Sequence, residues 1–223
     1  MGQAGRGLRI AAWASGAVGA LLLVGPVALF GSGYTTAQVS GSAMEPTYSI
    51  GERVLLERTG ADDVRRGDLV LYREPERYQG LAVLSRVIGV GGDRVAQEAG
   101  APVTVNGKPL TETYVKDGDP SGMAIQYDVE VPEGRLFVLG DHRANARDSR
   151  SFLDDRSGTV SATTVLGRVP HDRTGLVGLG LAMLLGLLLG ITALVSGIAA
   201  RGARHRSRTV YAPPPPPSAA WHA

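Results

Sequence analysis

The chain has no cysteine. Disulfides, thiolate nucleophiles and cysteine-type zinc sites are therefore excluded. Lysine is nearly absent as well: Lys108 and Lys116 are the only two, and arginine carries the rest of the basic charge. Aromatic residues make up 5% of the sequence, whereas glycine occurs 31 times. That balance suits a β-rich domain with many turns joined to membrane helices of small residues. The net charge is only +2, and the basic residues are spread along the chain with clusters at its ends. A nucleic-acid partner, which needs a basic face on the folded domain, is not expected. No cofactor and no metal is expected either. The 223 residues hold one domain of ordinary size plus terminal segments.

Two long runs carry no charge. Residues 10–30 are apolar apart from Ser15 and follow Arg6 and Arg9. Residues 176–200 have Thr192 and Ser196 as their polar side chains and precede Arg201, Arg204, Arg206 and Arg208. A run of about 20 apolar residues crosses the bilayer core as a helix. Arginines flank both outer ends, so the positive-inside rule places both termini in the cytoplasm. The expected organisation is a cytoplasmic N-terminus at 1–9, a transmembrane helix at 10–30, an extracytoplasmic domain at 31–173, a second transmembrane helix at 174–200 and a basic, proline-rich cytoplasmic tail at 201–223. That is a multi-pass protein of the cell membrane, with the lipid bilayer as a partner. A cleavable signal peptide is the alternative for the first run: the basic flank fits, and Thr35, Thr36 and Ala37 offer small residues for a cut that would leave an N-terminus near Gln38. A buried helix of a soluble protein is the alternative for the second, though its length without a charge argues against it. The tail carries five consecutive prolines at 213–217, a polyproline II tract.

Between the two runs the chain reads as mainly β. Short β-branched segments at 53–56, 68–72, 81–90, 103–107 and 135–139 are punctuated by Gly, Pro and Asp. That pattern predicts mostly antiparallel sheet. Asn106-Gly107 is the dipeptide of a type I′ hairpin.

One segment carries chemistry: Val39-Ser40-Gly41-Ser42-Ala43-Met44-Glu45-Pro46-Thr47-Tyr48. Others follow it in order. They are Gly51-Glu52-Arg53-Val54, Arg66-Gly67-Asp68-Leu69-Val70, Ser85-Arg86-Val87-Ile88-Gly89-Val90-Gly91-Gly92-Asp93, Val105-Asn106-Gly107-Lys108, and Phe137-Val138-Leu139-Gly140-Asp141-His142-Arg143 running on to Asp148-Ser149-Arg150. Each is weak alone, but together, at these spacings, they resemble the type I signal peptidases, membrane-bound serine endopeptidases that trim signal peptides from exported proteins. The resemblance spans roughly residues 39–169 plus the preceding anchor. It implies an antiparallel β domain of the signal-peptidase type between two transmembrane helices, with signal peptides of exported preproteins as partners.

The resemblance also implies a Ser-Lys dyad, and this chain lacks it. A serine hydroxyl needs a base, and a lysine can be that base only when burial keeps it neutral. Ala43 stands at the nucleophile position, immediately before Met-x-Pro-Thr. Ser85 stands at the lysine position, before Arg86. Ala146 stands where a serine would orient the lysine. His142 replaces an asparagine. Gly41 falls beside the oxyanion position. Arg86, Asp141, Arg143, Asp148 and Arg150 match as scaffold, with Asp148 and Arg150, two apart, read as strand neighbours able to pair. Substrate would lie extended along 81–84 and 38–41, so Gln38, Val39, Ser40, Ala82, Val83 and Leu84 are its candidate contacts, with Met44 and Pro46 shaping the pocket floor. Loss of the nucleophile costs about 2 × 10⁶ in kcat in subtilisin. The expectation is a catalytically impaired member of the family; a non-enzymatic peptide-binding or assembly subunit is the alternative, and an active paralogue is a candidate partner.

Two rescues stay open. Ser42 is a candidate displaced nucleophile, since Ser40-x-Ser42 keeps a Ser-x-Ser spacing one residue early. Neighbours on an extended segment point to opposite faces, so Ser42 would face away unless the turn is remodelled. It would need His142, with Asp141 or Asp148 behind it, because arginine does not deprotonate and the resemblance places Lys108 and Lys116 in a hairpin region away from the site. An engineered serine-to-alanine change accounts for Ala43 but leaves Ser85 and Ala146 unexplained. N-terminal sequencing of the mature protein should return residues from the start of the chain; a sequence beginning near Gln38 would contradict the retained anchor.

Overall fold

The computed structural model of the chain describes residues 3–122, 125–172 and 174–209. They fall into two units: a helical one, before residue 31 and after 172, and a β unit at Gly31–Asp172.

The helical unit contains α1 (Gln3–Gly33) and α2 (Thr174–Thr209). Within them Ile10–Gly33 and Thr174–Ala199, 24 and 26 residues with mean hydropathy 1.9 and 2.4, are long and apolar enough to cross a membrane. Twenty-four residues rise about 36 Å as a helix, against a hydrocarbon core of about 30 Å. The helices meet where their side chains are smallest. A Cβ on Gly19 would lie 3.0 Å from the Gly186 carbonyl oxygen, and one on Gly186 would lie 2.9 Å from the Gly19 carbonyl. Such close approach supplies the packing that lipid itself does not drive. Helix α2 runs past residue 200, so 201–209, expected as tail, are helical; alanine and arginine are both good helix formers. The proline tract at 213–217 lies outside the described residues.

Among the described residues the β unit has eleven strands: β1 (Tyr34–Gln38), β2 (Arg53–Glu57), β3 (Leu69–Tyr72), β4 (Val83–Val90), β5 (Arg94–Gln97), β6 (Thr104–Val105), β7 (Lys108–Pro109), β8 (Tyr127–Glu130), β9 (Arg135–Leu139), β10 (Val160–Ser161) and β11 (Val165–Arg168). Seven form one sheet in the order β1-β2-β11-β3-β4-β9-β10, and four form another in the order β7-β6-β5-β8. Every ladder is antiparallel. The β6–β7 hairpin turns through Asn106 and Gly107, both at positive φ (53° and 76°), as a type I′ turn requires.

Strands β4 and β9 are apolar on both faces because both faces are covered. Ile88, Phe137 and Leu139 join Val95, Val105, Tyr127 and Val129 of the small sheet in one core. Val87, Leu136 and Val138 join Val70, Tyr72 and Val160 in another. A third cluster, Val39, Val54 and Leu56, closes the β1–β2 end. Two details of this sheet shape the site. First, β4 pairs with β3 from Val83 to Arg86, but with β9 only from Arg86 onward. On its β9 side the backbone of 83–85 has no ladder partner among the described residues. Second, Thr35 and Ala37 pair with Leu56 and Val54, so a cut after Ala37 would strip an edge strand from the sheet.

Tyr72 and Tyr127 are buried in these cores, and Tyr78 and Tyr114 are half-buried. Burial pushes the Tyr72, Tyr78, Tyr114 and Tyr127 hydroxyls above their ordinary value. The Tyr127 ring, for one, packs 5.2 Å from that of Phe137. A raised folded-state pKa means that the native state holds these protons longer than the unfolded chain does. Their contribution to stability is therefore full below about pH 10 and is lost as pH rises beyond it. An alkaline titration should show phenolate absorbance from these four tyrosines appearing in the same step as loss of β-sheet ellipticity. Their ionisation near pH 10 in a still-folded protein would contradict the packing described.

Candidate functional site

The site is built on the segment after β9. Asp148 and Arg150 are buried and joined by two bonds, Nε to Oδ1 at 2.9 Å and Nη2 to Oδ2 at 2.7 Å. The same Asp148 Oδ2 accepts the Gly140 N–H at 3.1 Å, and Arg143 Nε donates to the Gly140 carbonyl at 3.0 Å. Arg150 also donates to the Arg143 carbonyl at 2.8 Å, while Arg143 pairs with buried Glu112. Charge-assisted bonds thus hold both backbone groups of Gly140. The expected strand pairing of Asp148 with Arg150 is corrected: Asp148 caps a 3₁₀ turn at Ser149–Phe152 and accepts the Arg150 N–H. The pair forms through a cap, not across a strand, because a 3₁₀ turn folds residue 150 back over 148.

The clamped loop holds the turn that carries Ala43. The His142 N–H donates to the Ala43 carbonyl at 3.0 Å. A Cβ on Gly140 would lie 2.7 Å from that carbonyl and would collide with the Ala146 methyl. Ala43 and Ala146 therefore converge on Gly140, and only glycine leaves room for them. Asp141, fully buried, takes Arg86 through two bonds, Nε to Oδ1 at 2.9 Å and Nη2 to Oδ2 at 2.6 Å, and also accepts the Thr47 hydroxyl. Arg86 lies 3.8 Å over the Tyr114 ring. Residues 42–44 form a 3₁₀ turn and not an extended segment, preceded by Gly41 in extended conformation. The first N–H groups of such a turn have no partner inside it. The following Glu45–Pro46 peptide is cis.

Ser85, expected at the lysine position, is buried on β4 opposite Val70, on the sheet face that also carries Tyr72. The Tyr72 and Tyr78 hydroxyls meet at 3.1 Å.

A cavity of about 370 Å³ opens beside the turn. Gln38, Val39, Ser40, Gly41, Ser42, Ala43, Met44, Ala82, Val83 and Leu84 line it, together with Val54, Leu71, Tyr78, Asn145 and Arg147. Of the candidate substrate contacts, only Pro46 is missing from the lining. Ser85 and Ala146 also stay behind the wall.

Both sources of a displaced mechanism meet other partners. The Ser42 hydroxyl accepts the Asn145 side-chain amide at 2.6 Å. His142 Nδ1 lies 3.2 Å from the Ser42 carbonyl, and no bond joins it to the hydroxyl among the described residues. Asp141 and Asp148, expected to stand behind His142, are taken up by Arg86 and Arg150. A second expectation changes too. Lys116 is not remote: its ammonium bonds Glu45 at 2.7 Å, two residues past Ala43, and its N–H donates to the Asp141 carbonyl. That bond holds the Glu45 carboxyl below its ordinary value, and it engages the Lys116 side chain in an ion pair. Sequence reasoning missed Asn145, Arg147, Tyr72 and Tyr78. Tyr72 alone had a signal, since pairing Val70 with Ser85 puts it on the same face.

Known proteins resemble this chain. The family described as "Signal peptidase, peptidase S26" matches residues 10–171. Signal peptidase I U of Bacillus subtilis is 32% identical over 143 residues, which are 57% of this chain and 74% of that protein. Signal peptidase I of Bacillus licheniformis is 35% identical over 124 residues, 52% of this chain and 65% of that protein. Among solved structures, a signal peptidase I from Enterococcus faecalis is 27% identical with a TM-score of 0.39, covering 48% of this chain and 97% of that one. The family match covers well over half of the sequence, and the chain belongs to the signal peptidase family, peptidase S26.

The clamp has a measurable cost of removal. Asp148→Asn leaves Arg150 buried without a countercharge and should destabilise the β unit by about 3–5 kcal/mol in denaturant unfolding. A loss below about 1 kcal/mol, the range of an exposed pair, would contradict its structural role.

Proposed function

We propose that this protein is a membrane-anchored member of the signal peptidase family that binds extended peptide segments, signal peptides of exported preproteins, and hydrolyses them weakly or not at all. The observation that carries the reading is the methyl group of Ala43 in the wall of the cavity, with no serine oxygen at that position. The rest of the site supports it. Among the described residues no lysine lines the cavity, and the Ser42 hydroxyl is held by an amide that cannot act as a base. An intact set of backbone donors would leave only about 10³-fold catalysis over water.

Binding does not need the dyad. The backbone of 83–85 has a free ladder side, and strand addition uses only backbone groups. The cavity beside it is lined mainly by apolar side chains, which suits small residues of a peptide. In this reading α1 and α2 are both transmembrane helices, the termini lie in the cytoplasm, and the β unit at 31–172 is extracytoplasmic. The place of Thr35 and Ala37 in the β1–β2 ladder supports retention of the first helix. The protein then acts as a peptide-binding or assembly subunit of the processing machinery, with an active paralogue as the partner that cuts.

The test is incubation of the detergent-solubilised protein with a labelled preprotein. No cut after small-x-small residues is expected from the wild type. Ala43→Ser with Ser85→Lys and Ala146→Ser should create measurable cleavage. Wild-type cleavage that Ser42→Ala abolishes would overturn the reading in favour of Ser42 as a displaced nucleophile.

A further inference from the structure

Arg147 is the only charged residue lining the 370 Å³ cavity among the described residues. Its guanidinium lies 5.0 Å from the centre of the Phe152 ring. Arg77 lies 4.5 Å from the same ring, but Arg77 is satisfied by Asp155 at 2.7 Å. Arg147 has no carboxylate and no hydrogen-bond acceptor among the described residues. It is held by an aromatic face, lines the groove with its charge and leaves its donors unused. Among the described residues no Asp, Glu or Lys lines the cavity; Glu76, which lines the adjoining groove with Arg147, pairs with Arg156 at 3.4 Å.

We propose that Arg147 makes this groove a receptor for the free C-terminal carboxylate of a peptide already cut after a small residue. The proposal rests on the peptide-groove reading above and adds a ligand class to it. A peptide paired with the open side of 83–85 presents alternate side chains to the apolar wall of Val39, Val54, Leu71 and Leu84. Those side chains must be uncharged, so an anion in this cavity belongs to the backbone. An extended chain acquires a backbone carboxylate only at its end. The other polar side chain on the Arg147 segment is a donor as well: the Asn145 amide, which gives one N–H to Ser42 and has a second to offer. In a catalytic relative the nucleophile position marks the bond to be cut, so a released peptide ends there. With a methyl at 43 and no lysine at 85, the groove retains donors for the product acid and lacks the groups that made it.

The test uses the full chain in detergent and three fluorescent peptides with the same small-x-small ending: the free acid, its C-terminal amide, and an amide carrying Asp at the middle position. The free acid should bind about five- to ten-fold more tightly than the amide, the range expected of a partly exposed charge-assisted contact. Added salt should narrow the gap. In Arg147→Gln the gap should fall below about two-fold, while affinity for the amide stays constant and reports an intact fold; Arg147→Lys should recover part of it. Equal binding of acid and amide, unchanged by Arg147→Gln, overturns the proposal and leaves the groove reading standing. A gain confined to the Asp-bearing amide overturns it by making a side chain the ligand. Failure of all three peptides to bind removes the groove reading and the proposal together.

Discussion

The pair of Asp148 with Arg150 is the contact on which the site depends. Both groups are buried, and each is fully engaged: Asp148 with Arg150 and the Gly140 N–H, Arg150 with Asp148 and the Arg143 carbonyl. Desolvating two charges costs several kcal/mol each, so such a pair is retained for what it positions more than for net stability. Here it positions Gly140. From Gly140 the order passes outward: His142 to the Ala43 carbonyl, Asp141 to Arg86 and Thr47, the Asp141 carbonyl to Lys116, and Lys116 to Glu45. The turn at 42–44 is thus braced by bonds from a segment about 100 residues away.

The departures from the catalytic pattern fall inside this brace and leave it whole. In the proposed reading, Ala43, Ser85 and Ala146 stand where groups would attack, take a proton or hold the base. None of their side chains is a partner in the charge network. Ala146 packs against Gly140, and Ser85 lies buried on the sheet face that carries Tyr72. Under the proposed reading, catalysis and shape are physically separable, because the charge network that braces the groove does not include these three side chains.

Much of the β unit could be read from local pattern. The short apolar runs at 53–56 and 135–139 mark strands that the cores bury, and Asn106-Gly107 marks its hairpin turn. The small strands β5, β8 and β11 escaped notice because four residues give too little periodicity, even where Tyr127-Asp128-Val129-Glu130 alternates cleanly. At the site, the motif segments named the positions of Ala43, Ser85 and Ala146, but their neighbours were hidden. Lys116 follows a hairpin and returns to Glu45 through an irregular stretch, so only the tertiary fold brings it near. Asn145 and Arg147 sit in a loop whose side-chain directions follow from the Gly140 clamp, and nothing local in the sequence announces them. The Asp148–Arg150 pair was visible as a spacing of two, yet its geometry came from a cap.

The most direct measurement is the intact mass of the purified protein after exposure to a serine-directed acylating peptide analogue that the groove can hold. An unmodified chain is expected, since the residue 43 side chain has no oxygen and, among the described residues, an amide and not a base bonds the Ser42 hydroxyl. A stoichiometric acyl adduct mapped to Ser42 would contradict it.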